Sequence, residues 1–594
     1  MTLTTKTKQN ILLGAILLLG ALLRFHNADV QSIWLDEVFS MIHSNPDKSF
    51  SEIYVFIKAY DPHPPLYYFL LHIFVKIFGY STLHARLFSA VVGVAGIYYI
   101  YKLAKELFTA RVGLIAAALL AVNYFHIYYS QEVRMYTLLA LTTIISFYYL
   151  VRFIKNPTTK TAVFYGIAAS LMIYSQFFGL FTLASQYLIL LLFVVKPYNV
   201  KWGKFLWLSF LSGIVTLVLY IPAIPIFLQT TKATSTWVLS PGPDVFTAMF
   251  REFFGGAEII IWIAVLGIIL YFAKLGRLKQ VNTTAGINPV KDKAAFSFVV
   301  LFSWIFITVI IPYTLSFIKL PMIINRYFIN ILPAVIIIMA AGIYYLKNTM
   351  VQVVVVASFV ICSVTDLVYV KEYYNKVTKT QFREITNKIK ERNIRGAKVV
   401  TFWGWILPYF FEDTPYIRVQ GYGFPEFLGE MRNGKKPVEA FWYLDGNSRP
   451  YALSPEDEAY LNENFVLREK YEFNDTWTRL YVPKSQQYLP SQPYMDAPVV
   501  PVLYKAGEYN VKINTKQLPL QVQDDKPAYI KVKFNGREIG NFYLEKNTDK
   551  TIEIPFSLDA DEKGVIQLIY ADKRFEYAYS RSSSVYLKKI ITKQ

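Results

Sequence analysis

Long apolar runs separated by short basic loops fill the first two-thirds of the chain, and the last third reads as ordinary soluble protein. Runs such as 187–195, or 335–345 after Pro333, are continuous rather than alternating. That is a helical signature and not the period-two pattern of a barrel strand. Lipid offers backbone groups no partners, so spans are helices or closed barrels, and a core of about 30 Å needs roughly 20 apolar residues per helix. The pattern predicts eleven spans, near 10–27, 84–101, 112–125, 135–151, 161–176, 177–195, 205–227, 257–273, 297–316, 326–346 and 351–369. Leu66–Phe78 is apolar and aromatic but short, and its flanks His63 and His84 predict a helix lying along the interface. The apolar stretch 11–23 follows Lys6 and Lys8 as a signal peptide would, but Arg24, Phe25 and His26 stand where a cleavage site needs small residues. It reads as a retained first span with Arg24 near the outer interface.

Charge sets the orientation. Lys102, Lys105 and Arg111 share one loop; Arg152, Lys155 and Lys160 share another. Lys196, Lys201 and Lys204 follow, then Lys274, Arg277, Lys279, Lys291 and Lys293. All fall on the N-terminal side, which the positive-inside rule makes cytoplasmic. Were Leu66–Phe78 a span, every later orientation would invert, against that rule. An odd number of spans puts everything after about residue 370 outside a plasma or inner membrane. The 594 residues are 54% apolar and 17% charged, with a net charge of +19. This excess sits largely in the inter-span loops, so it predicts a lipid bilayer and not nucleic acid as partner. The single cysteine, Cys362, lies in an apolar run and excludes an intramolecular disulfide.

The fold class expected is therefore a polytopic α-helical membrane protein with a C-terminal extracytoplasmic α/β domain and a small β-sandwich-like domain. Its parts are a membrane domain over 1–370 with an outer loop at 27–83, an α/β domain over 371–484, a linker at 485–501 rich in Pro, Gln and Ser, and a β-domain over 502–594. Phe382–Arg392 predicts a helix, 397–402 and 438–444 predict strands, and 465–482 predicts a hairpin. Ser454 reads as a helix cap, with Pro455 as first helical residue and Glu456, Asp457 and Glu458 in the first turn. Strands are expected at 509–513, 529–534, 552–556 and 565–570, with turns at Asn535-Gly536 and Lys563-Gly564.

Candidate chemistry clusters at the outer side. Trp34-Leu35-Asp36-Glu37 sets two carboxylates just outside a span. Acids that answer a helix dipole and a tryptophan of the interfacial belt explain it as well as catalysis does. Asp61-Pro62-His63-Pro64-Pro65 holds a histidine at a bend stiffened by proline, where it binds an anion or simply turns the chain. Arg86, Arg134 and Arg326 lie at outer ends of spans, against the charge rule. They either snorkel or form an anion clamp, since the guanidinium fork fits phosphate; Glu132 is a ready partner for Arg134. No Walker loop, His-Glu-x-x-His or Cys-x-x-Cys spacing occurs. No cofactor is expected, and a divalent metal at Asp36, Glu37 and His63 is the one arrangement left open.

In this order the motifs resemble the family of C-type glycosyltransferases that use polyprenyl-phosphate sugars, which includes protein O-mannosyltransferases and lipid A aminoarabinose transferases. The resemblance covers roughly 10–345 and rests on Arg24 with Trp34-Leu35-Asp36-Glu37, His63-Pro64-Pro65-Leu66-Tyr67-Tyr68, Ala85-Arg86-Leu87-Phe88-Ser89-Ala90, Ser130-Gln131-Glu132-Val133-Arg134-Met135-Tyr136, and Arg326-Tyr327-Phe328 with Pro333. It implies a polyprenyl-phosphate sugar donor, an acceptor hydroxyl and an inverting displacement outside the membrane. Asp36 matches the family's catalytic aspartate, with Glu37 beside it, and Arg86 a phosphate-binding arginine. Arg134, Arg326 and His63 join as candidates for the donor phosphate, and Tyr67, Gln131 and Tyr136 as substrate contacts. His63 departs from the aminoarabinose branch, which carries lysine there, and this argues against that sugar. A transporter or flippase for lipid-linked glycans would favour mid-span charges and paired half-repeats, and neither is found. A polymerase or ligase would use diphosphate-linked glycans, and a tethered binding protein would not need eleven spans.

Overall fold

A computed structural model describes residues 4–589 apart from 62, 233, 237, 278–286, 394–396, 415–416, 487–501, 515–527, 536, 545–549, 565, 572–575 and 581–584. The expected linker from 487 onward, Pro62, Lys279 and Gly536 lie outside the described residues. The chain divides into two compact units. One comprises Met1–Val30 with Phe39–Lys376, the other Gln31–Val38 with Val377–Gln594.

The first unit is helical. It runs α1 (Thr5–Phe25), α2 (Leu35–His43, whose first residues belong to the other unit), α3 (Phe50–Tyr60), α4 (Leu66–Phe78), α5 (Thr82–Leu107), α6 (Ala110–Ala121), α7 (Tyr124–Ser130) and α8 (Tyr136–Lys155). It continues with α9 (Thr159–Ser175), α10 (Gly179–Val194), α11 (Trp202–Tyr220), α12 (Ile224–Thr230), α13 (Val245–Phe253), α14 (Glu258–Leu275), α15 (Lys293–Ile318), α16 (Leu332–Tyr344) and α17 (Thr349–Thr365). The starts follow the sequence: Ser81, Thr109, Asn123, Thr158 and Asn348 each accept an orphan N–H of the first turn. Seven helices among the described residues are long and apolar enough to cross a bilayer, or eight if the pair α6 and α7, bent by 63°, counts as one. The other expected spans correspond to α9, α10 and α16, of 17, 16 and 13 residues. α4, at 13 residues, reaches only about 20 Å. The expected span 326–346 is shorter at its start: Asn325–Asn330 is a 3-10 turn, so Arg326 precedes α16 rather than opening it.

α16 is buried along nearly its whole length, with α5, α6 and α8 largely buried around it. α1, α11, α14 and α17 turn Leu, Phe, Ile and Val outward, as helices facing lipid do. Small residues permit the tightest crossing. A Cβ on Gly342 of α16 would stand 1.8 Å from the Gly267 carbonyl oxygen of α14.

Arg24, expected near the outer interface, is fully buried near the end of α1. Its guanidinium donates to the carbonyls of Gly20 (2.9 Å), Ala121 (2.8 Å) and Leu120 (3.1 Å), to Ser130 Oγ (3.2 Å) and to His126 Nδ1 (2.8 Å). Leu120 and Ala121 close α6, where carbonyls lack intrahelical partners. Arg24 thus caps α6 at its bend into α7 and answers the negative end of its dipole.

The second unit begins with a five-stranded sheet in the order β2-β1-β3-β5-β4. Its strands are β1 (Lys398–Thr401), β2 (Val419–Gly421), β3 (Phe441–Gly446), β4 (Phe465–Phe473) and β5 (Thr476–Pro483). β2, β1 and β3 are parallel, whereas β4 and β5 form the expected antiparallel hairpin. The helices α18 (Phe382–Arg392), α19 (Phe424–Arg432) and α20 (Pro455–Asn464) accompany it, the last capped by Ser454 as anticipated. Beyond lie β6 (Val502–Tyr504), β7 (Gly507–Asn514), β8 (Ala528–Phe534), β9 (Arg537–Leu544), β10 (Thr551–Leu558), β11 (Glu562–Gly564), β12 (Ile566–Ala571), β13 (Glu576–Ser580) and β14 (Val585–Lys589). The sheets β10-β7-β14 and β13-β12-β8-β9 share one apolar core containing Val511, Ile513, Ile530, Val532, Phe542 and Ile554. Lys563 and Gly564, expected in a turn, instead pair with β6.

Gly342→Ala is expected to cost roughly 2 kcal/mol or more by forcing α14 and α16 apart, and thermal unfolding in detergent measures it. Ala at Gly14, which meets nothing within 4 Å, serves as the control.

Candidate active site

The acidic motif is anchored from far along the chain. Within the second unit, Gln31 Oε1 accepts the Thr378 N–H at 3.0 Å, and Ser32 Oγ accepts that of Arg383 at 3.1 Å. Glu37 is fully buried and pairs with Lys379 Nζ at 3.2 Å, and that ammonium also lies 5.8 Å from the Trp34 ring centre. Asp36 is only half-buried. Both acids lie in the first turn of α2, where the helix dipole favours them. The two neighbours therefore differ in burial: Glu37 is fully enclosed beside Lys379, whereas Asp36 is partly exposed.

A second polar cluster lies in the first unit, where α3 ends and α4 begins. Asp61 closes α3, and the dipeptide Pro64-Pro65 leads into α4. Asp61 is buried, and its Oδ1 accepts from His63 Nδ1 at 2.5 Å, while the Tyr68 hydroxyl donates to Oδ2. Arg134, in the segment between α7 and α8, donates from Nη1 to Tyr68 Oη at 3.4 Å and to Ser40 Oγ at 3.3 Å. Burial alone would push the Asp61 carboxyl up, but His63, Arg134 and Tyr68 outweigh it and hold it below the usual carboxylate range. His43, facing Tyr68 and Phe56, is held the other way. Burial lowers its imidazole to about 4, against the Phe39 carbonyl it contacts at 2.5 Å and the Asp61 charge, with Lys48 and Arg134 lowering it further.

The remaining expected site residues are distributed around this cluster. Arg86 is fully buried and donates to the Ala28 carbonyl at 3.0 Å. Arg326 is half-buried, its guanidinium 5.7 Å from the ring centre of Tyr136 and 6.0 Å from that of Tyr327. Arg86 and Arg134 are both buried, so neither snorkels. Tyr67 shares a hydrogen bond with Ser89 at 3.1 Å. Gln131 donates its amide hydrogens to the carbonyls of Arg24 (3.0 Å) and His26 (2.8 Å), which ties the segment before α8 to the end of α1. The structure thus brings together His63 and Arg134 through Asp61 and Tyr68, and Tyr136 with Arg326. Asp61 and Tyr68 were visible only as parts of a motif. Ser40, His43 and Lys379 carried no local signal.

Residues 62–226 match the sequence profile of the dolichyl-phosphate-mannose-protein mannosyltransferase family, a stretch holding His63, Tyr67, Arg86, Gln131, Arg134 and Tyr136. No curated protein matches by sequence. Among solved structures, ArnT from Cupriavidus metallidurans in the apo state is similar with a TM-score of 0.54 and 13% identity, over 80% of this chain and 98% of ArnT. ArnT bound to undecaprenyl phosphate gives a TM-score of 0.52 with the same identity and coverage.

One titration follows from the cluster. His43 is neutral in the folded protein down to about pH 4, whereas an unfolded histidine protonates near 6.5. Between those values the unfolded state binds the extra proton, so stability falls as pH drops, by at most about 3 kcal/mol at the low end. Unfolding measured from pH 7 to 4 should show this loss, and His43→Phe should flatten it. The profile match and the shared fold agree with the order of the motifs: residues 62–226 are similar to the dolichyl-phosphate-mannose-protein mannosyltransferase family, and the chain is similar in fold to ArnT.

Proposed function

We propose that the chain transfers a sugar from a polyprenyl-phosphate-linked donor to an acceptor hydroxyl at the extracytoplasmic face, with inversion. The observation that carries this reading is the buried pair His63 and Arg134, linked through Asp61 and Tyr68, inside the segment that matches the mannosyltransferase profile. Such a cluster suits a lipid phosphate, and the ArnT fold has been seen with undecaprenyl phosphate bound. Eleven spans, basic loops inside and the strand-bearing unit outside complete the proposed topology.

In the proposed reaction Asp36 accepts the proton of the acceptor hydroxyl. The hydroxyl oxygen bonds to the anomeric carbon from the face opposite the phosphate. The bond from that carbon to the phosphate oxygen breaks, and its electron pair leaves with the lipid phosphate. Charge grows on that phosphate in the transition state, so fixed cations there lower the barrier. Arg86, Arg134, Arg326 and His63 take this role, with Tyr67, Gln131 and Tyr136 beside the substrate. Glu37, committed to Lys379, orients the first turn of α2 rather than moving a proton. The proposed steps are written without a metal.

The test is release of lipid phosphate by the purified chain in nanodiscs, offered a panel of polyprenyl-monophosphate sugars with membrane acceptors. Asp36→Asn should abolish release while the protein stays folded, and near-wild-type turnover removes Asp36 from the mechanism. Arg86→Ala should raise the donor KM about tenfold, the value of one charged hydrogen bond. Release only from diphosphate-linked donors would point instead to a polymerase or ligase.

A further inference from the structure

The geometry points to Asp61 as a positioning residue of the donor site, acting through His63 and Arg134 on the lipid phosphate; this rests on the transferase reading above. The Asp61 carboxylate is 1% exposed. A carboxylate out of water is tolerated only when its oxygens are satisfied and its charge is answered. Both oxygens are engaged: Oδ1 by His63 Nδ1 at 2.5 Å, Oδ2 by the Tyr68 hydroxyl. Tyr68 Oη also accepts from Arg134 Nη1 at 3.4 Å. One carboxylate therefore links three stretches of chain, the bend after α3, the first turn of α4 and the segment before α8. Through it and Tyr68 the structure links His63 and Arg134, both candidates for the donor phosphate.

The consequence for His63 is specific. A carboxylate on Nδ1 keeps the proton there and fixes the ring plane, so the imidazole meets a ligand through Nε2. Nε2 then faces the ligand, and a hydrogen bond between it and a phosphate oxygen seats the headgroup. Without Asp61, His63 Nδ1 and the Tyr68 hydroxyl lose their common acceptor, and the ring loses its orientation.

The test reads binding and turnover separately. Binding of undecaprenyl phosphate to the full chain is measured by native mass spectrometry in wild type, Asp61→Asn, His63→Gln and the double variant. Asp61→Asn should weaken binding about tenfold, and in the His63→Gln background the same change should weaken it less than about threefold, since coupled residues are not additive. Donor KM should rise in parallel, and kcat should fall as well, since the same residues face the charge that grows on the phosphate. Equal losses in both backgrounds would make Asp61 merely structural, and unchanged binding in Asp61→Asn would overturn the proposal outright. If Asp61→Asn does not fold, Tyr68→Phe removes only the hydroxyl between Asp61 and Arg134 and should weaken binding about threefold; unchanged binding there overturns it equally. Failure of wild type to turn over any donor would sink the transferase reading while the binding series still decides the role of Asp61.

Discussion

An ion buried among apolar helices must find every partner within the protein, and that constraint shapes the functional end of this bundle. Arg24 meets it with three carbonyls, a hydroxyl and an imidazole, and in doing so holds α6 against α7 at a 63° bend. Asp61 meets it with a histidine and a tyrosine, and Arg134 with the same tyrosine and Ser40. Each satisfied charge fixes a turn of backbone that carries another site residue. Gln131, tied to the end of α1, leads directly into Arg134.

The same constraint acts on the acidic motif from the other unit. Glu37 is buried against Lys379, and Ser32 and Gln31 accept backbone hydrogens from Arg383 and Thr378. A segment that in sequence follows the first span is therefore a structural part of the strand-bearing unit. That unit anchors the turn holding Asp36, and truncation after Lys376 would strip Glu37 of Lys379.

Much of this was legible in sequence because membrane physics writes in long words. Continuous apolar runs of helical length gave α1, α5, α8 and α15, with ends off by up to six residues. Alternation and turn residues gave β4, β5, β7, β8 and β10. What failed has physical causes. The start expected for α16 was too early because apolarity does not distinguish the 3-10 turn around Arg326 from helix. β9, with Gly540 and Asn541 inside it, has no alternation to read. Lys563-Gly564 looked like a turn because Gly permits one, yet there it permits close packing, since a Cβ at Gly564 would stand 2.4 Å from the Phe534 ring. In the site, motif order gave His63, Arg86, Arg134 and Arg326. It did not give the links among them, because Ser40 to Arg134 and Glu37 to Lys379 are long-range pairings with no local pattern.

The account stands or falls on where the lipid phosphate sits. A cryo-EM structure of the full chain in nanodiscs with undecaprenyl phosphate decides it. The account predicts phosphate density within hydrogen-bonding distance of His63 and Arg134. Ordered phosphate elsewhere on the protein, with the groups around Asp61 unchanged from the apo state, would contradict it.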